Sequence, residues 1–340
     1  MIDKKHKSPI LIWLYTGAFL VFAMVVIGGI TRLTNSGLSM VEWKLVMGTI
    51  PPLSDADWNE TFAKYKAFPE YQHINTNFTL EDFKGIFWWE YIHRMLGRLI
   101  GIVFLIPFIF FLIRKWLEPR LTRQLLVMFF LGGFQGFLGW FMVASGLIDD
   151  PHVSHYRLAA HLITAGLLLA YIFWVALGLA REREVRDVPV IVRNITNLLL
   201  VLILFQMVYG AFVAGLRAGY IFNTFPKMGD EWIPQAVTSL QPWWRNFSEG
   251  MAGVQFTHRW LAFVILTVVG WLWATCSRAD LTKVQARGLW LIIGATFIQF
   301  MLGVLTLLLS VPTPIAVMHQ VGAMLLLISV VYFLNSIKPA

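Results

Sequence analysis

Eight apolar stretches limit what this chain can become. They lie at about 10–31, 87–113, 124–146, 158–180, 195–216, 254–275, 288–310 and 314–335. Each is near the roughly 20 residues that carry an α-helix across a bilayer. The expected fold is an all-α polytopic membrane protein with eight transmembrane helices. Composition agrees: 58% of the 340 residues are hydrophobic and only 14% are charged. A soluble domain would carry about a quarter charged residues, and no separate soluble domain is visible.

The formal net charge of +8 raises the question of nucleic acid, and its distribution answers it. Fifteen of the 27 Lys and Arg residues fall in alternate connections: Lys4, Lys5, Lys7; Arg114, Lys115, Arg120, Arg123; Arg181, Arg183, Arg186, Arg193; Arg278, Lys283, Arg287; and Lys338. The positive-inside rule then places both termini in the cytoplasm. The charge orients the protein and calls for no nucleic acid. The polar start before "SPILIWLY" is too short for a mitochondrial transit peptide, so a bacterial cell (inner) membrane is the simplest address. The single cysteine, Cys276, allows no disulfide within the chain and no thiol relay on the outer face.

The sequence repeats. "EYIHRMLGRLIGIVF" (90–104) pairs with "QFTHRWLAFVILTVV" (255–269), and "RLAAHLITAGLLL" (157–169) pairs with "IAVMHQVGAMLLL" (315–327). The odd spans echo one another through Gln-x-x-x-Gly: Gln135 and Gly139, Gln206 and Gly210, Gln299 and Gly303. The first span has Met24 and Gly28 instead. Two four-span halves follow, residues 1–184 and 185–340. Four is an even number, so the halves form a parallel repeat with a pseudo-twofold axis along the membrane normal. Inverted repeats need an odd number. The two long outer loops, 32–86 and 217–250, are rich in aromatics and Pro and are expected to cap the helix ends.

Eight histidines occur. His6, His73 and His152 fall in tails or loops, and His155 at the mouth of the fourth span. The others, His93, His161, His258 and His319, stand one in each even span, within the first turns after an outer loop. A lone helical His is most often structural. Four at repeat-equivalent positions in a membrane point to a function. The residues four positions on are Gly97, Ala165, Ala262 and Ala323, on the same helix face, which leaves room for a flat ligand. Zinc gathers its ligands in a compact set. Two histidines per half, on separate helices, instead suit the two axial positions of a haem, held in a four-helix core. The expected pairs are His93 with His161 and His258 with His319.

The halves differ in one place. Glu90 stands three residues before His93, while Gln255 stands three before His258. A carboxyl beside a reactive centre can move protons. The bland reading pairs Glu90 with Arg94 at i, i+4. Arg94, Arg98 and Arg259 suit either haem propionates or lipid headgroups.

Together with "GGITRLTNSGLSMVEWK" (28–44), "GTIPP" (48–52), "NTFPKM" (223–228) and "MHQVGA" (318–323), these motifs resemble the haem A synthase family, the membrane enzymes of cytochrome oxidase assembly. The likeness covers essentially the whole chain. Lacking an outer-loop cysteine pair, the chain is similar to the proteobacterial and mitochondrial branch, and no thiol-based step carries over. The resemblance implies an oxidoreductase that takes the C8 methyl group of haem O through successive hydroxylations to the formyl group of haem A. It implies a haem B cofactor in the C-terminal half at His258 and His319. The substrate haem, haem O becoming haem A, is implied in the N-terminal half at His93 and His161, with Glu90 as the functional glutamate. The implied partners are membrane lipid, haem O synthase and cytochrome oxidase assembly, and a homo-oligomer is left open. The alternative from the residues alone is a di-haem bis-histidine electron-transfer cytochrome, which leaves Glu90 and the capping loops without a role. A haem transporter or chaperone is disfavoured by the parallel repeat. A haem O synthase needs Asp-rich motifs, and the only Asp pair is Asp149–Asp150.

Overall fold

Polar caps, rather than the apolar runs, set where three helices of this chain begin. The structure, a computed structural model, describes residues 4–41, 47–146, 153–180 and 188–337. Its helices are α1 (Lys4–Leu33), α2 (Asp55–Lys66), α3 (Pro69–His73), α4 (Leu80–Ile113), α5 (Pro119–Gly146), α6 (His155–Ala180), α7 (Val190–Gly215), α8 (Met251–Cys276), α9 (Lys283–Leu308) and α10 (Thr313–Ser336). Eight of them, all but α2 and α3, are long and apolar enough to cross a membrane. No strand occurs among the described residues. Asp149, Asp150, His152, Arg181, Arg183, Arg186, Lys338 and residues 42–46 lie outside those described.

Helix α4 starts well before its apolar run because Thr79 and Asp82 form a reciprocal capping box. Thr282 with Gln285 does the same for α9, and Ser54 with Asp57 for α2. Each box satisfies two backbone N–H groups that the first turn leaves without partners. One consequence corrects an expectation. His93 lies in about the fourth turn of α4, whereas His161, His258 and His319 stand near the second turn of their helices.

Helices α6 and α10 form the centre, and their side chains are buried on several faces. Around them, α1 packs on α4 and α6, and α5 packs on α6. In the other half, α7 packs on α8 and α10, and α9 packs on α10. Contacts of α6 with α7, α1 with α10, and α6 with α10 join the halves. One continuous core runs through both, including Val21, Leu169, Leu199, Leu272 and Leu327. The outer faces carry large exposed apolar residues such as Phe130, Phe137, Trp290 and Phe297. A belt of that kind is the surface expected against lipid.

The long loops are folded caps. Trp58, Phe62 and Tyr65 pack with Phe83, Ile86 and Phe87 at the outer end of α4. Glu70 is buried in this cap, 5% exposed. The Tyr65 hydroxyl donates to Glu70 Oε2 at 3.1 Å, and Asn75 Nδ2 donates to that hydroxyl at 2.8 Å. Burial pushes the Glu70 carboxyl up to about 7. The second cap centres on Met228, Val237 and Ala252. There the buried Asn246 side chain closes the turn, donating to the carbonyls of Leu240 and Trp243 and accepting from Leu240 N–H.

Candidate haem-binding site

Each of the four helical histidines lays its ring over a glycine of the preceding membrane helix. His93 on α4 meets Gly28 of α1, and His161 on α6 meets Gly139 of α5. His258 on α8 meets Gly210 of α7, and His319 on α10 meets Gly303 of α9. A Cβ at those glycines would stand 3.0, 3.1, 3.4 and 2.9 Å from the ring. At Gly28, Gly139 and Gly303 only a residue without a side chain lets ring and backbone approach this closely, while at Gly210 an added Cβ would be in ordinary contact. The glycines of Gln-x-x-x-Gly are therefore shelves for the histidine of the next helix. The i+4 residues play a lesser part. The space beside Gly97 is taken by the Met24 methyl, 3.3 Å from where a Cβ would be, and Ala165 is packed into the core.

The glutamines sit one turn deeper and brace the histidine helices. Gln135 Nε2 donates to the His161 carbonyl at 2.9 Å, and Gln206 Nε2 donates to the His258 carbonyl at 3.0 Å. Gln299 lies against Gly322 of α10. Buried Nδ1 atoms of His161, His258 and His319, and buried Oε1 atoms of Gln135, Gln206 and Gln299, have no hydrogen-bond partner within the protein. Buried polar atoms left this way cost about 1–3 kcal/mol each and cluster where a site is built for something else.

The donor set fits a haem. The His258 and His319 rings meet edge to face, with centroids 6.4 Å apart and planes at 88°. A metal–imidazole bond is about 2 Å, so one iron between two imidazoles sets ring centres roughly 6 Å apart. In the N-terminal half, His161 lies within electrostatic range of His93. Among the described residues no three His, Cys, Asp or Glu gather to hold a bare metal ion. Paired imidazoles are the donors that remain, and a porphyrin brings its own four equatorial nitrogens.

Above each pair, the helix grips its outer loop. Glu90 is 2% exposed. Its Oε2 accepts from Ser39 Oγ at 2.7 Å and Met40 N–H at 2.8 Å, and its Oε1 accepts from Arg94 Nη2 at 2.6 Å. Arg94 also donates to the Met40 carbonyl at 2.8 Å. In the second half Gln255 Nε2 donates to the Phe222 carbonyl at 3.2 Å. Arg259 donates to Phe222 at 2.6 Å, Thr224 at 2.9 Å and Lys227 at 3.1 Å. Arg94 and Arg259 thus hold loop carbonyls, a role the sequence alternatives of propionate and headgroup did not include. The common Glu/Gln-x-x-His-Arg spacing beside two long loops was the signal available for it. The Glu90–Arg94 pair is real, and it sits inside a cluster that also fixes Ser39 and Met40.

The remaining histidines sort differently. His6 stacks on Trp116, just beyond the end of α4, with centroids 4.2 Å apart. His73 is exposed. His155 bonds through Nε2 to the Ser248 carbonyl at 2.8 Å, tying α6 to the second cap. Gln320, next to His319, donates to the Val25 carbonyl of α1 at 2.7 Å and covers Gly29. The two glycines of "GGITR" therefore touch one site each: Gly28 takes His93, and Gly29 takes the neighbour of His319.

Comparison with known proteins adds a whole-chain likeness. The family model described as cytochrome oxidase assembly protein (COX15-CtaA) matches residues 11–331. A protein of Flavobacterium psychrophilum named Heme A synthase is 49% identical over 97% of this chain and 98% of its own. One of the same name from Nitrosospira multiformis is 46% identical over 94% of this chain and 91% of its own. Another, from Bradyrhizobium diazoefficiens, is 47% identical over 93% and 88%.

Proposed function

This chain belongs to the COX15-CtaA family of cytochrome oxidase assembly proteins, and on that footing we propose that it is a haem A synthase. The reaction is oxidation of the C8 methyl group of haem O by successive hydroxylations, after which loss of water leaves the formyl group of haem A. The N-terminal half, residues 1–184, takes the substrate haem between His93 and His161. The C-terminal half, residues 185–340, takes haem B between His258 and His319. Bound there, haem B supplies a redox-active iron.

The protein's own part is placement and proton handling. The glycine shelves and glutamine braces set where each imidazole stands. The caps and their Arg clamps close the outer ends and keep bulk water from the pairs. One observation supports the division of labour above the others: Glu90 is ionisable and lies one turn outward of His93, while its counterpart Gln255 is neutral. Glu90 takes the proton released as the methyl group is oxidised. Its two oxygens accept from Ser39, Met40 and Arg94, which fix the carboxyl against the outer loop.

The two halves are read as a parallel repeat, supported by the same helix pairings in each. The membrane is read as a bacterial inner membrane with both termini cytoplasmic, supported by the basic residues at the ends of α4, α6 and α8. Haem O synthase and the cytochrome oxidase assembly machinery are the proposed partners.

The test is conversion of haem O to haem A in membranes carrying Glu90→Gln, His93→Ala or His258→Ala. All three are expected to lose conversion while the protein remains in the membrane. Full activity of Glu90→Gln overturns its assigned role. Extraction of haem B alone from the wild type, even when haem O is supplied, points to an electron-transfer cytochrome instead.

A further inference from the structure

Arg94 and Arg259 commit their guanidinia to loop carbonyls. A second pair of arginines, at the outer seam between the halves, does not. Arg32 ends α1, and Arg217 follows α7. They cross the seam reciprocally. Arg32 Nη2 donates to the Ala214 carbonyl at 3.0 Å, and Arg217 Nη2 donates to Asn35 Oδ1 at 3.3 Å. The two guanidinia lie within repelling range of each other. Neither has a carboxylate partner among the described residues, where the ion pairs include Lys64–Glu60, Lys84–Glu81, Arg94–Glu90 and Arg245–Glu249.

One feature separates Arg32 from ordinary arginines at a membrane surface, while Arg217 is exposed. Arg32 Nε is buried without a hydrogen-bond partner, whereas a snorkelling arginine keeps its head in water. Position matters too. Arg32 is one turn, about 5.4 Å, outward of Gly28, the shelf of His93. Its acceptor Ala214 is one turn outward of Gly210, the shelf of His258. The pair therefore stands just above the outer edges of both histidine sites.

We propose that Arg32 and Arg217 form an anion site at the seam between the halves, taking a carboxylate or phosphate by forked, charge-assisted hydrogen bonds. Arg offers the donor geometry for such groups, and an anion between the two removes their mutual repulsion. Two sources carry this chemistry to the seam. One is a propionate of a haem seated on a histidine pair, which rests on the haem reading above. The other is the phosphate of a lipid headgroup. The position above both shelves favours the propionate.

The experiment uses the full chain purified in nanodiscs and stripped of haem. It is titrated with haem B and with haem B dimethyl ester, in which both propionates are masked, and binding is followed by the Soret band. Phospholipid phosphorus that remains bound after delipidation is measured in parallel. With the propionate as ligand, the wild type prefers the free acid by roughly tenfold or more, as expected for charge-assisted bonds. The Arg32→Gln/Arg217→Gln variant binds both forms alike, and Arg32→Lys, which keeps the charge but loses the fork, falls between. With lipid as ligand, acid and ester bind equally, and the variant retains less phospholipid than the wild type. The proposal is overturned if the wild type neither distinguishes acid from ester nor retains phospholipid, which needs no variant to fold. It is equally overturned if wild type and folded variant behave alike in both measurements. Failure of the wild type to bind any haem sinks the haem reading instead, and the phospholipid comparison alone then decides the anion site.

Discussion

Glu90 carries the difference between the two halves in one side chain. Replacing it by Ala takes the carboxylate from a buried guanidinium, a change that costs about 3–5 kcal/mol when it breaks a buried pair. Glu90→Ala is therefore expected to lower the thermal midpoint in detergent markedly. Glu90→Gln keeps the shape and one acceptor, so it is expected to melt closer to the wild type yet fail to make haem A. Equal melting of the two variants contradicts the cluster described around Ser39, Met40 and Arg94. Glu70 offers a pH test. Its folded value of about 7 lies above its ordinary value of 4.5, so the folded state holds a proton that the unfolded state releases. The cap is then most stable below about pH 4.5 and loses stability as pH rises to about 7, by an amount on the order of 3 kcal/mol at most. Protease sensitivity of the segment around Trp58 is expected to rise between pH 5 and pH 8 in the wild type and to change little in Glu70→Gln. A flat wild-type response contradicts the buried carboxyl.

At the scale of helices, the shelves make graded predictions. A Cβ at Gly303 would stand 2.9 Å from His319, closer than real contacts allow, while one at Gly210 would stand 3.4 Å from His258 in ordinary contact. Gly303→Ala is expected to shift the haem absorption spectrum or lower haem content, and Gly210→Ala to leave both near wild type. The reverse order contradicts the packing. Much of this was legible in the sequence. The eight spans follow from apolar length, and the four histidines from their repeat positions. Gln-x-x-x-Gly is visible as a pattern, but its meaning is not, since only the packing of neighbouring helices shows that the glycine belongs to the next helix's histidine. The apolar runs leave out the polar first turns of α4 and α9, which Thr79 and Thr282 cap. The arginine clamps stayed hidden because their acceptors are backbone carbonyls, which every sequence has and no sequence marks.

Over the whole molecule, two helical halves share one core and one seam. Helices α6 and α10 pack against each other at the centre, and α1 reaches both sites through Gly28 and Gly29. Such an arrangement can hold two haems at fixed separation while giving them different surroundings, one beside Glu90 and the other beside Gln255. On the proposed function, the two histidine pairs are not interchangeable. The most direct test is mass analysis of the haems extracted from wild type, His93→Ala and His258→Ala, each purified from cells supplying haem O. His93→Ala is predicted to keep haem B and lose haems O and A. His258→Ala is predicted to lose haem B and to retain haem O unconverted. Haem O surviving in His93→Ala but lost from His258→Ala would contradict the account.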